Sequence, residues 1–167
     1  MPELSAEQQE ILDQFLYGAE HLEKAVAGLT DEQFDLSVGP GEWSIRQIVH
    51  HLADDGDAWA MNIKKAIASP GAWVRFDGFP GNDVWAEAIG YALRPVAAAV
   101  ALVKAHRMEL AELAATFPER WNQTLAVLDS DGKKVAEMSV SDMIKGNEGH
   151  VHDHILVIEE IRKKHGL

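Results

Sequence analysis

Apolar residues return at the three-and-four spacing of an α-helix in four long stretches of the chain. In the first, Ile11, Leu12, Phe15, Leu16, Ala19, Leu22 and Val26 form a single stripe, the pattern of a helix with one face in a core. Ser5 precedes the stripe and Gln8 stands three residues on, a capping box that fixes its start, while Gly28 suits its end. The second stretch, with Ile45, Ile48, Val49, Leu52, Trp59 and Ile63, opens on the same signature at Ser44 and Gln47 and closes at Ser69-Pro70-Gly71. The third starts at Asn82 or Asp83, carries Val84, Trp85, Ala88, Ile89 and Leu93, and runs to Phe117 with a kink expected at Pro95. The fourth opens at Ser139 with Asp142 three residues on, buries Met143, Ile144, Val151, Ile155, Ile158 and Ile161, and ends near Lys164.

Between these stretches the pattern changes. Thr30 to Phe34 predicts one short turn, Ser37 to Gly41 a loop, and Ala72 to Gly81 a long connection. Thr124–Leu128 and Lys134–Met138 are two β-compatible runs around Ser130-Asp131-Gly132-Lys133, and Asp-Gly between such runs signals a hairpin. The fold class expected is therefore all-α, a four-helix bundle with crossover connections and a small β-hairpin before the last helix. With 167 residues and no internal repeat, residues 1–167 form one domain.

Composition narrows the chemistry. No cysteine is present, which excludes disulfides, thiolate metal sites and cysteine nucleophiles, and favours a reducing compartment. A net charge of −12 leaves no basic footprint for phosphates, so neither nucleic acid nor an anionic membrane is an expected partner. The first residues show no basic region followed by an apolar run, which predicts a cytoplasmic protein. Five tryptophans are expected in the core or lining a pocket.

Eight histidines are the feature that points to chemistry. His150 and His154 are four apart on the last helix, share its inward side, and can chelate one ion. His152 points outward. On the second helix His51 lies at the apolar face, whereas His50, in line with Arg46, Asp54 and Asp57, is expected to be solvated. Packing the second helix against the last brings His51 toward His150 and His154, and a divalent ion would satisfy lone pairs that are otherwise costly to bury. Asp54 and Asp55 directly follow the His51 turn, and one of them, with Asp55 four residues on and near the same face, is a candidate base or ligand-orienting residue; Asn147, three before His150, is a candidate support for the same site. His21, His106 and His165 have no partner at useful spacing and are expected at the surface or its boundary.

The run Trp43-Ser44-Ile45-Arg46-Gln47-Ile48-Val49-His50-His51-Leu52-Ala53-Asp54 resembles the signature of the DinB/YfiT-like family, in which Trp-Ser/Thr opens the second helix and His-Leu-x-Asp follows. His150 and His154 match the family's His-x-x-x-His pair, and Trp85-Ala86-Glu87 resembles its YfiT branch. The chain departs from that branch at Asp153, where a further histidine usually stands. The resemblance implies an up-down-down-up bundle, often a homodimer, with zinc or nickel on three histidines. It also implies a small-molecule substrate, with transfer of a low-molecular-weight thiol such as bacillithiol or mycothiol to an electrophile, thiol-dependent isomerisation, or hydrolysis as the activity. A non-catalytic protein that binds a metal or small molecule is the competing expectation.

Overall fold

Three serines start three of the four long helices. In the computed structural model, which describes residues 3–167, Ser5 caps α1 (Ala6–Val26), Ser44 caps α2 (Ile45–Ala68) and Ser139 caps α5 (Val140–His165). Each hydroxyl accepts from the third backbone N–H of its helix, and the side chain at that third position, Gln8, Gln47 or Asp142, reaches back to the cap. At the far end of α5, Gly166 takes the left-handed conformation (φ 72°) that lets the chain turn off the helix.

The third helical stretch is broken outright, where a kink at Pro95 was expected. A short helix α3 (Asn82–Ala88) ends before Gly90, which sits at φ 69°. One 3₁₀ turn (Tyr91–Leu93) follows, Arg94 is extended as a residue before proline must be, and α4 (Ala97–Thr116) begins only after that. The long connection also holds a strand that the sequence pattern does not reveal. This β1 (Trp73–Arg75) runs parallel to β2 (Thr124–Leu128), which pairs antiparallel with β3 (Lys134–Ser139) in the order β1-β2-β3. Trp73 is exposed there, unlike the core or pocket position expected of it.

The hairpin itself forms as expected. Asp129 Oδ1 accepts from the backbone N–H groups of Asp131 and Lys133, and Gly132 stands at φ 80°. Replacing Gly132 with Val is expected to lower the melting temperature by a few degrees, because a β-branched residue strains a left-handed position. Metal content should not change, since no hairpin residue reaches the histidines, and elemental analysis checks this.

Helices α1 and α2 each pack against both α4 and α5, so the two that are consecutive in the chain lie diagonally across the bundle. Direction follows from the ends. The C-terminus of α2 leads into β1, α4 leads toward β2, and α5 leaves from β3, while Gln8 at the start of α1 donates to the Pro118 carbonyl at 2.8 Å. Helices α2 and α4 therefore run toward the sheet and α1 and α5 away from it, an up-down-down-up bundle. Two parallel helices in succession require a long return, and residues 69–96 supply it as a strap along α2.

The core has two apolar halves. One, near the sheet, gathers Phe15, Ile63, Leu110, Trp121, Leu125 and Ile144; the other gathers Leu22, Ile45, Leu52, Val103, Ile155 and Ile158. Between them lies the guanidinium of Arg107, 2% exposed. It donates to the carbonyl of Phe15, to the carbonyl of Asn147 at 3.1 Å and to the Asn147 side-chain oxygen at 3.3 Å, and lies over the Phe15 ring. Gly18 on α1 leaves the room that this guanidinium fills.

A three-histidine centre beside an aromatic cavity

His51 projects from the second turn of α2, and His150 and His154 from successive turns of α5. Each can offer one ring nitrogen such that all three lie within 4.8 Å of one another. The closest pair, His51 Nε2 and His150 Nε2, is 3.0 Å apart. The rings meet edge to face, with centroids 4.7 Å apart for His150–His154, 4.9 Å for His51–His154 and 5.1 Å for His51–His150. An ion bound at about 2.0–2.1 Å by three imidazoles needs its nitrogens roughly 3.3 Å apart, so these side chains fit a divalent metal with little movement. Trp43 closes the site from outside, its ring centroid 5.0 Å from that of His51.

The surroundings keep the imidazoles neutral. Burial, reinforced by the two neighbouring histidines, lowers the pKa of His51 to about 4. Burial and then His150 do the same for His154, also to about 4. Neutral imidazole is the metal-ligating form. In the unfolded chain both rings take a proton near pH 6.5, whereas in the folded protein they do so only near 4. Between those values the unfolded state holds more protons, so the metal-free protein is expected to lose stability as pH falls from about 6.5 to about 4. Thermal melts across that range check this, and the double variant His51→Gln/His154→Gln should show a shallower fall.

Asp55 stands one turn beyond His51, with Oδ2 3.5 Å from His150 Nε2. That same oxygen accepts from Trp59 Nε1 at 2.6 Å. Burial raises the pKa of Asp55 against the opposing pull of His150 and Trp59, which suits a carboxylate that must take up and release a proton. Asn147, the other candidate from the sequence, is buried with its side-chain oxygen turned to Arg107; it joins α5 to α4.

His50 is not solvated, as the sequence pattern suggests, but 4% exposed. The strap covers its side of α2: His50 Nε2 lies 3.2 Å from the Arg94 carbonyl and its ring stacks on Tyr91. Arg46, on the same side, is buried too, donating to Asp35, Asp31 and the Arg94 carbonyl. His152 is exposed, as expected. His106 is half-buried, and its Nε2 lies 2.9 Å from Asp57, a partner across two helices that spacing does not show. His21 pairs with Glu159, and His165 is exposed.

Beside the three histidines a cavity of about 560 Å³ opens between α2 and the strap. Phe76, Phe79, Trp85 and Tyr91 form its strap side. Asp54 fastens that wall by accepting from Trp85 Nε1 at 3.0 Å and from the Tyr91 hydroxyl at 2.8 Å. Sequence reasoning did not assign this role to Asp54, although the residue stands within the helix-two signature.

Comparison with known proteins places this geometry among relatives. The sequence profile of the DinB superfamily matches residues 14–158. A Geobacillus kaustophilus protein provisionally named a metal-dependent hydrolase is 26% identical over 146 residues, 87% of this chain and 78% of the relative. An Oceanobacillus iheyensis protein of the same provisional name is 33% identical over 85 residues, 50% of this chain and only 46% of that protein's length. Bacillus subtilis YfiT, described as a probable metal-dependent hydrolase with an unusual four-helix bundle topology, superimposes with a TM-score of 0.83 at 21% identity, over 99% of this chain and 92% of its own. A mycothiol-dependent maleylpyruvate isomerase shares the fold at a TM-score of 0.65 and 18% identity, over 90% of this chain and 60% of its own. Among the described residues no helix is long and apolar enough to cross a membrane.

Proposed function

The chain belongs to the DinB superfamily, and on that footing we propose that it is a divalent-metal-dependent enzyme that transfers a low-molecular-weight thiol to an electrophile. The observation that carries this reading is the convergence of His51, His150 and His154 beside a cavity large enough for a small organic molecule. Three protein ligands leave a coordination position open, which is the arrangement of catalytic centres; structural ones are closed by four. A zinc or nickel ion held there would supply Lewis acidity and lower the pKa of a thiol or water.

The chain's own residues do the rest. Asp55 accepts the S–H proton of the incoming thiol. The sulfur lone pair forms the new S–C bond to the electrophile, and the C–X bond breaks with its electron pair on X. Asp55 then returns the proton to X, so the products are a thioether and H–X. Trp59 donates to the Asp55 carboxylate and fixes it beside His150, and the aromatic residues of the strap line the cavity next to it. With no cysteine in the chain, the sulfur must arrive as a cosubstrate.

Hydrolysis is the second reading, supported by the provisional names of the relatives and by the same placement of Asp55, which can equally take a proton from water. Protein loaded with zinc or nickel and offered cysteinyl or sugar thiols with a chromogenic electrophile, and separately activated esters, tests both. Thiol-dependent turnover supports transfer, and ester cleavage without thiol supports hydrolysis. Loading with no turnover of either would return the protein to a metal-binding role. Asp55→Asn should keep metal content while lowering kcat about 10²- to 10⁴-fold.

A further inference from the structure

We infer that one water molecule is built into the bundle interior between α2, α4 and α5, accepting a hydrogen bond from Arg107 Nε and donating one to His106 Nδ1. It completes a polar chain that starts at Asp57, in the lining of the cavity beside the three histidines, and ends at Asn147 on α5. The water's place does not depend on which reaction the three-histidine centre performs.

Among the described residues, two buried side-chain nitrogens lack a hydrogen-bond partner, His106 Nδ1 and Arg107 Nε. Buried polar atoms are nearly always paired, so two such atoms on adjacent residues of α4 point to a shared partner. Both residues line one small cavity of about 10 Å³, room for a single water and too little for a larger guest. Leu52, Val103, Leu110 and Val151 give that cavity an apolar wall. Gly56 on α2 makes the space. A Cβ there would stand 2.8 Å from His106 Nδ1, closer than a carbon can approach without displacing the ring.

The direction of each hydrogen bond identifies the guest. His106 Nε2 lies 2.9 Å from Asp57 Oδ1. A carboxylate only accepts, so Nε2 carries the ring proton, and Nδ1 of the neutral ring presents a lone pair. Arg107 Nε–H donates and cannot accept. The Nη atoms of the same guanidinium donate to the Phe15 carbonyl and to Asn147, which leaves Nε for the guest. That guest must therefore accept on one side and donate on the other. A halide would meet the Nδ1 lone pair, and a cation would meet the guanidinium. Water satisfies both atoms.

A high-resolution crystal structure of the full-length protein should show one density peak within about 2.7–3.2 Å of both nitrogens. In solution, magnetic relaxation dispersion of the solvent oxygen counts waters held inside the protein. The wild type should hold one more such water than Gly56→Ala, whose methyl group takes the space. Any water on an ion at the three-histidine centre is common to both proteins and cancels. His106→Phe removes the acceptor and should lose the same water, so it serves where Gly56→Ala does not fold; circular dichroism checks folding. Nitrogen NMR of neutral His106 should find the proton on Nε2. An empty site, a halide peak, a direct contact between Nδ1 and Nε, the opposite tautomer, or an equal water count in the wild type and the folded variants overturns the inference.

Discussion

Alanine at His51, at His150 or at His154 is expected to cost far more than 100-fold in zinc affinity, whereas alanine at His50 or His152 leaves stoichiometry near one ion per chain. The contrast comes from placement. His50 and His51 are adjacent in sequence, yet one ring faces the Arg94 carbonyl and Tyr91 while the other faces His150 and His154. His152 lies between the two α5 residues of the centre but points to solvent. Removing a group that only supports a metal ligand typically costs 10- to 100-fold; removing one of three ligands should exceed that. Elemental analysis after dialysis measures it directly. Zinc at about 100 times its Kd should add roughly 2.7 kcal/mol to the folded state, or about 5–10 °C in Tm for a chain of this size. The wild type and both controls should show that rise, and the three ligand variants almost none. His50→Ala should nonetheless melt somewhat earlier, since it removes a stacked, hydrogen-bonded ring under the strap. A His152→Ala variant behaving like His150→Ala would require α5 to be rotated from its place in this structure.

Arg107 gives the second large effect, and here two substitutions should diverge. Burial pulls its pKa down to about 10 against the weaker opposing pull of Glu148, so at neutral pH the guanidinium is charged at a net desolvation cost. Its side chain fills the space between α1, α4 and α5, over the Phe15 ring and against Gly18, and donates there to Phe15 and Asn147. Arg107→Ala empties that volume and removes the donors, which should cost about 3–5 kcal/mol. Arg107→Met fills most of the volume without a charge to bury, and should cost less than about 1.5 kcal/mol or even stabilise. Denaturant titration separates the two. If Met proved as damaging as Ala, the hydrogen bonds rather than the packing would carry the contribution.

The contrast between His50 and Arg107 on one side and the capped helix starts on the other explains what the sequence can reveal. Ser5, Ser44 and Ser139 act on residues three positions away, so their roles are written locally. The His150–His154 pair is local too, and His51 falls into place once α2 is known to face α5. What is missed depends on partners far along the chain. Strand β1 exists because β2, some fifty residues on, offers it an edge. Arg46, His50 and Arg107 are polar, and helical periodicity alone assigns polar residues to the outside. Each is buried because a backbone carbonyl from another element waits for it. The broken third helix belongs to the same class: Gly90 and Pro95 mark it, but Asp54 on α2 and its bonds to Trp85 and Tyr91 hold the pieces as a wall.

The separation of the three ligands also sets the order of events when the protein folds. His150 and His154 are a turn apart and can grip an ion as soon as α5 forms, whereas His51 lies 99 residues from His150 and meets it only after α2 has docked. Closing so long a loop is slow compared with forming a helix. An ion captured early is therefore held by two imidazoles at most, and the third arrives with the native bundle. Added metal should accordingly slow unfolding much more than it speeds folding, and the ion serves as a late clasp on the finished bundle.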